Sequence, residues 1–473
     1  MNALDRLLNR IIDRVNVNLR EPGFDVGPYV RGVIPWAKVS RFYAFYGLTF
    51  HHPLHFHFEH SSIAGSYFLG KCIVDNSLLY KSDIRGDELK AKGDIFQHGG
   101  LKIPLHDDEE IHIKNSYLVK NLVHNHSHDP ESPEEFLIQN IVSLHYANIH
   151  GSPVEGSFLG PFSTVDLTTI HDCVIGTFAY VQVGELAHHY VPEGRIWIRH
   201  GDTFDFSYQF PEDVLKRYVR LNPGEPPKGI LMDFVEKRKP DFERVFDVVK
   251  FKPDVKAGHG AALNRYAVVK GQTRVSENVL VAQRAYLEDA WLGVGSNAQE
   301  NCYIIRSSLQ GKNITAHGGK VINARLGEGV FVGFNAFLHG TPECNLVIGK
   351  GSIVMPHTII DLKEPLEVPS DHLVWGYIQG SKDLAEHSIP LAELSTCEGE
   401  MRRGAMHFQG SGSFFVTGFL NRLEHILEAN GAYFDGTKRK GHAQKGQNIS
   451  FNIIQPYPEG PMKGLYPTID ICP

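Results

Sequence analysis

The chain has 473 residues, is 42% hydrophobic and 21% charged, and carries a formal net charge of −7. That length allows two or three domains, and an acidic balance with no long basic run excludes nucleic-acid binding driven by bulk charge. No apolar window is long enough to span a bilayer, and six scattered cysteines without a CxxC argue against a disulfide framework. A soluble, cytoplasmic protein acting on a small-molecule substrate is expected, with no nucleic-acid and no membrane partner.

The first segment, MNALDRLLNRIIDRVNVNL, sets apolar residues at helical spacing between charges. This predicts an amphipathic docking helix and lacks the unbroken apolar core of a signal peptide. HHPLHFHFEH (51–60) follows. In a strand, His55, His57 and Glu59 share one face and the phenylalanines the other, as a second metal site or as an edge strand with its polar side outward. Residues 1–60 are assigned to this helix and His-rich strand.

Residues 61–190 carry a loose period of six, in phase at Ile63 and Leu69 and then drifting between five and six. Residues 191–260 change character. PEDVLKRYVRL and PKGILMDFVEKRKPDFERVFDVV have helical apolar spacing around the breaker NPGEPP, which predicts a helical insertion. The period then returns strictly over 261–375, with aliphatic residues at Val275, Val281 and Leu287, at Leu326, Val332 and Leu338, and at Ile348, Val354 and Ile360. A six-residue period with an aliphatic first position marks a left-handed parallel β-helix, in which each hexapeptide gives a short strand and a corner. The fold class is therefore mainly β, with two hexapeptide-repeat regions. Residues 376–473 form a C-terminal extension with an amphipathic helix in FFVTGFLNRLEHILEAN.

On such coils, residues far apart in sequence stack in columns, so the 26 histidines need weighing together. SLHYANIHG presents His145 and His150, and YLVKNLVHNHSHD presents His124 after a similar aliphatic run, with His126 and His128 as rival ligands. Three neutral imidazoles plus a water are one standard catalytic zinc set; solvated or structural histidines are the alternative. In the second repeat region, His317 and His339 sit in similar segments, but Phe334 stands five residues before His339, where the first region has His145. One metal site per chain is expected.

The stretch Ile63 to Val183 resembles the gamma-class carbonic anhydrases. SLLYKSDIRGD is similar to that family's S-V-W-x-x-A-V-L-R-G-D segment, LVHN to its first zinc histidine, and HYANIHG to its H-x-x-x-x-H-G segment. The resemblance implies that His124 and His150 of one subunit and His145 of a neighbour bind zinc (or iron or cobalt) in a homotrimer, with Arg85 and Asp87 shaping the interface beside the metal as catalytic-site residues. The family's Q-D-N stretch is replaced here by Leu118, Val119 and Lys120, and GDIFQHGGLKIPLHDDEE reads as an inserted loop or an extra coil.

Metal-bound hydroxide attacks carbonyl-type carbon, so the leading expectation is a zinc-dependent hydratase or hydrolase. The chain's large additions point to a substrate bigger than carbon dioxide. The alternatives are a hexapeptide acyltransferase using acyl-CoA, with His317 or His339 as general base, and a non-catalytic β-helix scaffold.

Overall fold

A computed structural model describes residues 3–41, 43–48, 55–98, 100–126, 135–247 and 255–454. The chain divides into two compact units. The first comprises Met1–Arg195, Glu212–Met232 and Ile449–Pro473, and the second Ile196–Pro211 and Asp233–Asn448. Each contains a parallel β-helix, so the expected mainly-β fold with two repeat regions is what the chain adopts.

In the first unit three ladders of short parallel strands form the prism faces. One runs through Asp83–Glu88, Leu122–His126, Asn148–His150, Thr164–Asp166 and Tyr180–Gln182. A second begins at His55–Glu59, and a third at Leu78–Tyr80. The long strand Ser66–Asp75 serves two ladders, pairing with Asp83–Gly86 through its first half and with Ile111–Lys114 through its second. Gly70 makes that bend: its φ is +81°, and a Cβ there would lie 2.3 Å from the carbonyl oxygen of Gly86.

The period is six, but not throughout. In the first unit, Val142, Asn148, Val154 and Phe158 mark steps of six, six and four, because Val142 pairs with Phe158 sixteen residues on. In the second, Val275, Val281, Leu287 and Leu292 mark steps of six, six and five. The short step falls at a tight corner, and this explains the drift seen in the first repeat region.

The nine aliphatic residues that define the strict repeat all lie in one buried cluster of the second unit. Their ladders stack them directly, as in Leu326 on Ile348 and Leu338 on Ile360. The stack ends where His372–Val374 turns antiparallel against Ser388–Pro390.

The N-terminal helix, Ala3–Asn18, buries Leu8, Ile11, Ile12 and Val15. That i, i+3, i+4, i+7 stripe packs with Tyr117, Val142, Phe158 and Val174, covering one prism face. Burying four such side chains stabilises the cover by about 1.5–3 kcal/mol each.

The inserted segment before His124 is a hairpin, Ile95–His98 with Leu101–Pro104, and not an extra coil. The segment 191–260 opens with two strands, Arg195–His200 and Phe204–Gln209, before its helices Glu212–Tyr218, Ile230–Glu236 and Lys239–Asp247. Phe204–Gln209 pairs antiparallel with Met406–Ser411, so part of the expected insertion and part of the C-terminal extension form one sheet. The helix Gly412–Ala429 follows, capped by the Ser411 hydroxyl accepting from the Phe414 amide. No helix among the described residues is long and apolar enough to cross a membrane.

Candidate active site

One ladder of the first unit gathers most of the candidate residues. Arg85, His124, His150 and Asp166 occupy successive rungs at the same register position. Residues in register on neighbouring parallel strands point the same way, so the four side chains form a row across one prism face.

His150 and Asp166 are joined: Nδ1 of the imidazole lies 2.7 Å from Oδ1 of the carboxylate, which is fully buried. The Tyr180 hydroxyl lies 2.5 Å from Asp166 Oδ2 and 3.0 Å from Gln182 Oε1. A buried carboxylate held this way keeps the proton of neutral His150 on Nδ1 and makes Nε2 the basic atom.

His124 faces His150, with ring centroids 5.2 Å apart at 74°. Burial drives its pKa well below the usual histidine value; Glu88, whose Oε1 is 3.8 Å from His124 Nε2, pulls the other way, and Arg85 and His150 add to the depression. His124 is thus a neutral imidazole at working pH. Beside it, Arg85 makes a two-pronged pair with Asp87, its Nε 2.9 Å from Oδ1 and its Nη2 against Oδ2. Burial works against the Arg85 charge, but Asp87 outweighs it and holds the guanidinium above its ordinary pKa.

The structure therefore brings together Arg85, Asp87, His124 and His150. His145 stands apart, at a corner just before Tyr146, whose φ is +62°. It is buried, its pKa is driven well down by burial and by Lys120, and it does not join His124 and His150 as a common ligand group. The side chain of His126 and all of His128 lie outside the described residues.

In the second unit, His339 Nδ1 lies 2.8 Å from Asp361 Oδ1 on the next rung, repeating the His150–Asp166 arrangement half-exposed. The rung before it carries Ile322, where the first unit has His124. His317 is buried, with Nδ1 2.8 Å from Glu300 Oε2. Sequence reading missed Asp166 and Tyr180. Their signal was the coil length: Asp166 lies sixteen residues after His150, and a strict period of six cannot align them.

Residues 101–223 match the family described as hexapeptide repeat including loop. The whole chain superposes on a solved structure from Desulfovibrio desulfuricans G20, described as a "putative acetyltransferase", with 56% sequence identity and a TM-score of 0.91. The match covers 100% of this chain and 99% of that one. The chain belongs to the hexapeptide-repeat family. No curated protein matches it. The matched repeat of this hexapeptide-repeat protein spans His124, His150, Asp166 and Tyr180. Neither comparison points to the gamma-class carbonic anhydrases or to a lyase or hydrolase; the whole-chain neighbour is described as a transferase.

Proposed function

We propose that this hexapeptide-repeat protein is an acyltransferase in which His150 is the general base. The observation that carries the reading is the His150–Asp166–Tyr180 chain, set on a sheltered prism face beside a neutral second histidine. The description of the neighbour that matches the whole chain supports transfer over hydration.

In this reaction His150 Nε2 takes the proton from an acceptor hydroxyl or amine as the acceptor attacks the carbonyl of an acyl thioester. The carbon–sulfur bond breaks, and the imidazolium returns the proton to the departing thiolate. Asp166 stabilises the imidazolium that forms between these steps, and its burial strengthens that interaction. The half-exposed His339–Asp361 pair has the same geometry but a wetter setting. The test is release of coenzyme A from acetyl-CoA across a panel of hydroxyl and amine acceptors. Acceptor-dependent release supports transfer, and an inert protein refutes it.

A second reading rests on the His124–His150 pair itself. Two facing imidazoles, one neutral through burial and one oriented through Nδ1 by a carboxylate, suit a zinc, iron or cobalt ion. Such an ion, when bound, would supply a Lewis acid. The third ligand would be His145 of a neighbour in a homotrimer, as the resemblance to gamma-class carbonic anhydrases implies.

A further inference from the structure

Three ligand-bearing side chains converge on the outer face of the first unit's opening rungs. His57, Glu59 and Asp75 each place one donor atom within 4.8 Å of the others. The backbone produces this convergence. His57 and Glu59 are two residues apart in the strand His55–Glu59 and share a face, while the register sets Glu59 opposite Asp75.

The other face is anchored. Phe56 is buried and its ring stacks on Phe68, with centroids 4.2 Å apart and planes at 28°. The strand cannot roll without exposing that ring, so its polar face stays outward. Asp75 is positioned as well: His112 Nε2 lies 3.1 Å from its Oδ2, and His112 Nδ1 lies 2.8 Å from Glu135 Oε1. His60, with Nδ1 3.2 Å from Glu59 Oε1, is a further imidazole at the rim.

We infer that His57, Glu59 and Asp75 form a divalent-metal site of the zinc class, which clasps the strand His55–Glu59 to its neighbour. Two carboxylates balance the charge of the ion, and the imidazole favours zinc-like ions over calcium or magnesium. Zinc bonds of about 2.0–2.2 Å place tetrahedral ligand atoms about 3.3–3.6 Å apart, so donor atoms that already lie within 4.8 Å of one another need to close by no more than about 1.5 Å. The site is separate from the His124–His150 row and does not depend on the acyltransferase reading.

The test is a zinc titration of the full chain against a chromophoric chelator, comparing wild type with His57→Ala and Glu59→Gln. Each variant should lose one zinc equivalent per chain, and His112→Ala should weaken that equivalent about 10- to 100-fold by freeing Asp75. Amide exchange at Phe56 and Phe58 supplies a second readout: zinc should slow it in wild type and not in His57→Ala. Zinc stoichiometry and affinity unchanged in both His57→Ala and Glu59→Gln would overturn the assignment, since any zinc bound would then sit elsewhere.

Discussion

His124 and His150 face each other from adjacent rungs, whereas the equivalent rungs of the second unit pair Ile322 with His339. One repeat thus keeps two imidazoles in a row where the other keeps one. The proposed general base, His150, therefore has a second imidazole beside it that His339 lacks.

Asp166→Asn should slow acyl transfer more than Tyr180→Phe does. The asparagine loses the charge that stabilises imidazolium and can offer an N–H to Nδ1, favouring the wrong tautomer. Tyr180→Phe removes one hydrogen bond to a charged group, worth about 1.5–3 kcal/mol, or roughly ten- to hundredfold in rate. Steady-state kinetics with the pH profile of kcat/KM would check this ordering; equal rates for Asp166→Asn and wild type would contradict it.

Asp87→Ala should destabilise the first unit by about 3–5 kcal/mol, because it strands the buried Arg85 charge. Both side chains of that pair are well shielded, Asp87 at 2% exposure. Arg85→Met with Asp87→Leu should cost much less, since both charges leave together. Denaturant unfolding of the single and double variants measures the difference.

Lys320 sets a pH dependence in the second unit. It is buried, with its Nζ 2.5 Å from the Gly318 carbonyl oxygen, and burial lowers its pKa from 10.5 to about 7. Between those values the unfolded amine holds a proton that the folded one lacks. The contribution of Lys320 to stability therefore rises with pH across the window, by about 1.4 kcal/mol per unit. Lys320→Met should be more stable than wild type at pH 7, and the gap should close as pH rises towards 10. A gap that stays constant with pH would show that the amine is charged in the folded state.

The architecture was legible because the second repeat spaces its aliphatic residues by six within three runs, Val275 to Leu287, Leu326 to Leu338 and Ile348 to Ile360, and all of them stack inside the prism. The first repeat was harder to read because its short step is four residues. Some of its corners also take residues unusual for a left-handed backbone, such as Tyr146, Phe162 and Phe178, at φ of 57° to 62°. The row of Arg85, His124 and His150 was legible in part, since each follows an aliphatic residue and precedes a glycine or asparagine: Gly86, Asn125 and Gly151. Asp166 and Tyr180 carry no local signal, because what gives them their proposed role is a lateral neighbour sixteen or fourteen residues away. The expected insertion at 191–260 hid two strands because one of them pairs with Met406–Ser411, far later in the chain, with Phe204 opposite Gly410.

The most direct test of the central claim is acyl transfer from acetyl-CoA by His150→Ala and His339→Ala, assayed side by side. General-base catalysis by His150 predicts a fall of about 10²–10⁴-fold in kcat for His150→Ala, with His339→Ala close to wild type. Full activity in a folded His150→Ala protein, or loss confined to His339→Ala, would contradict it.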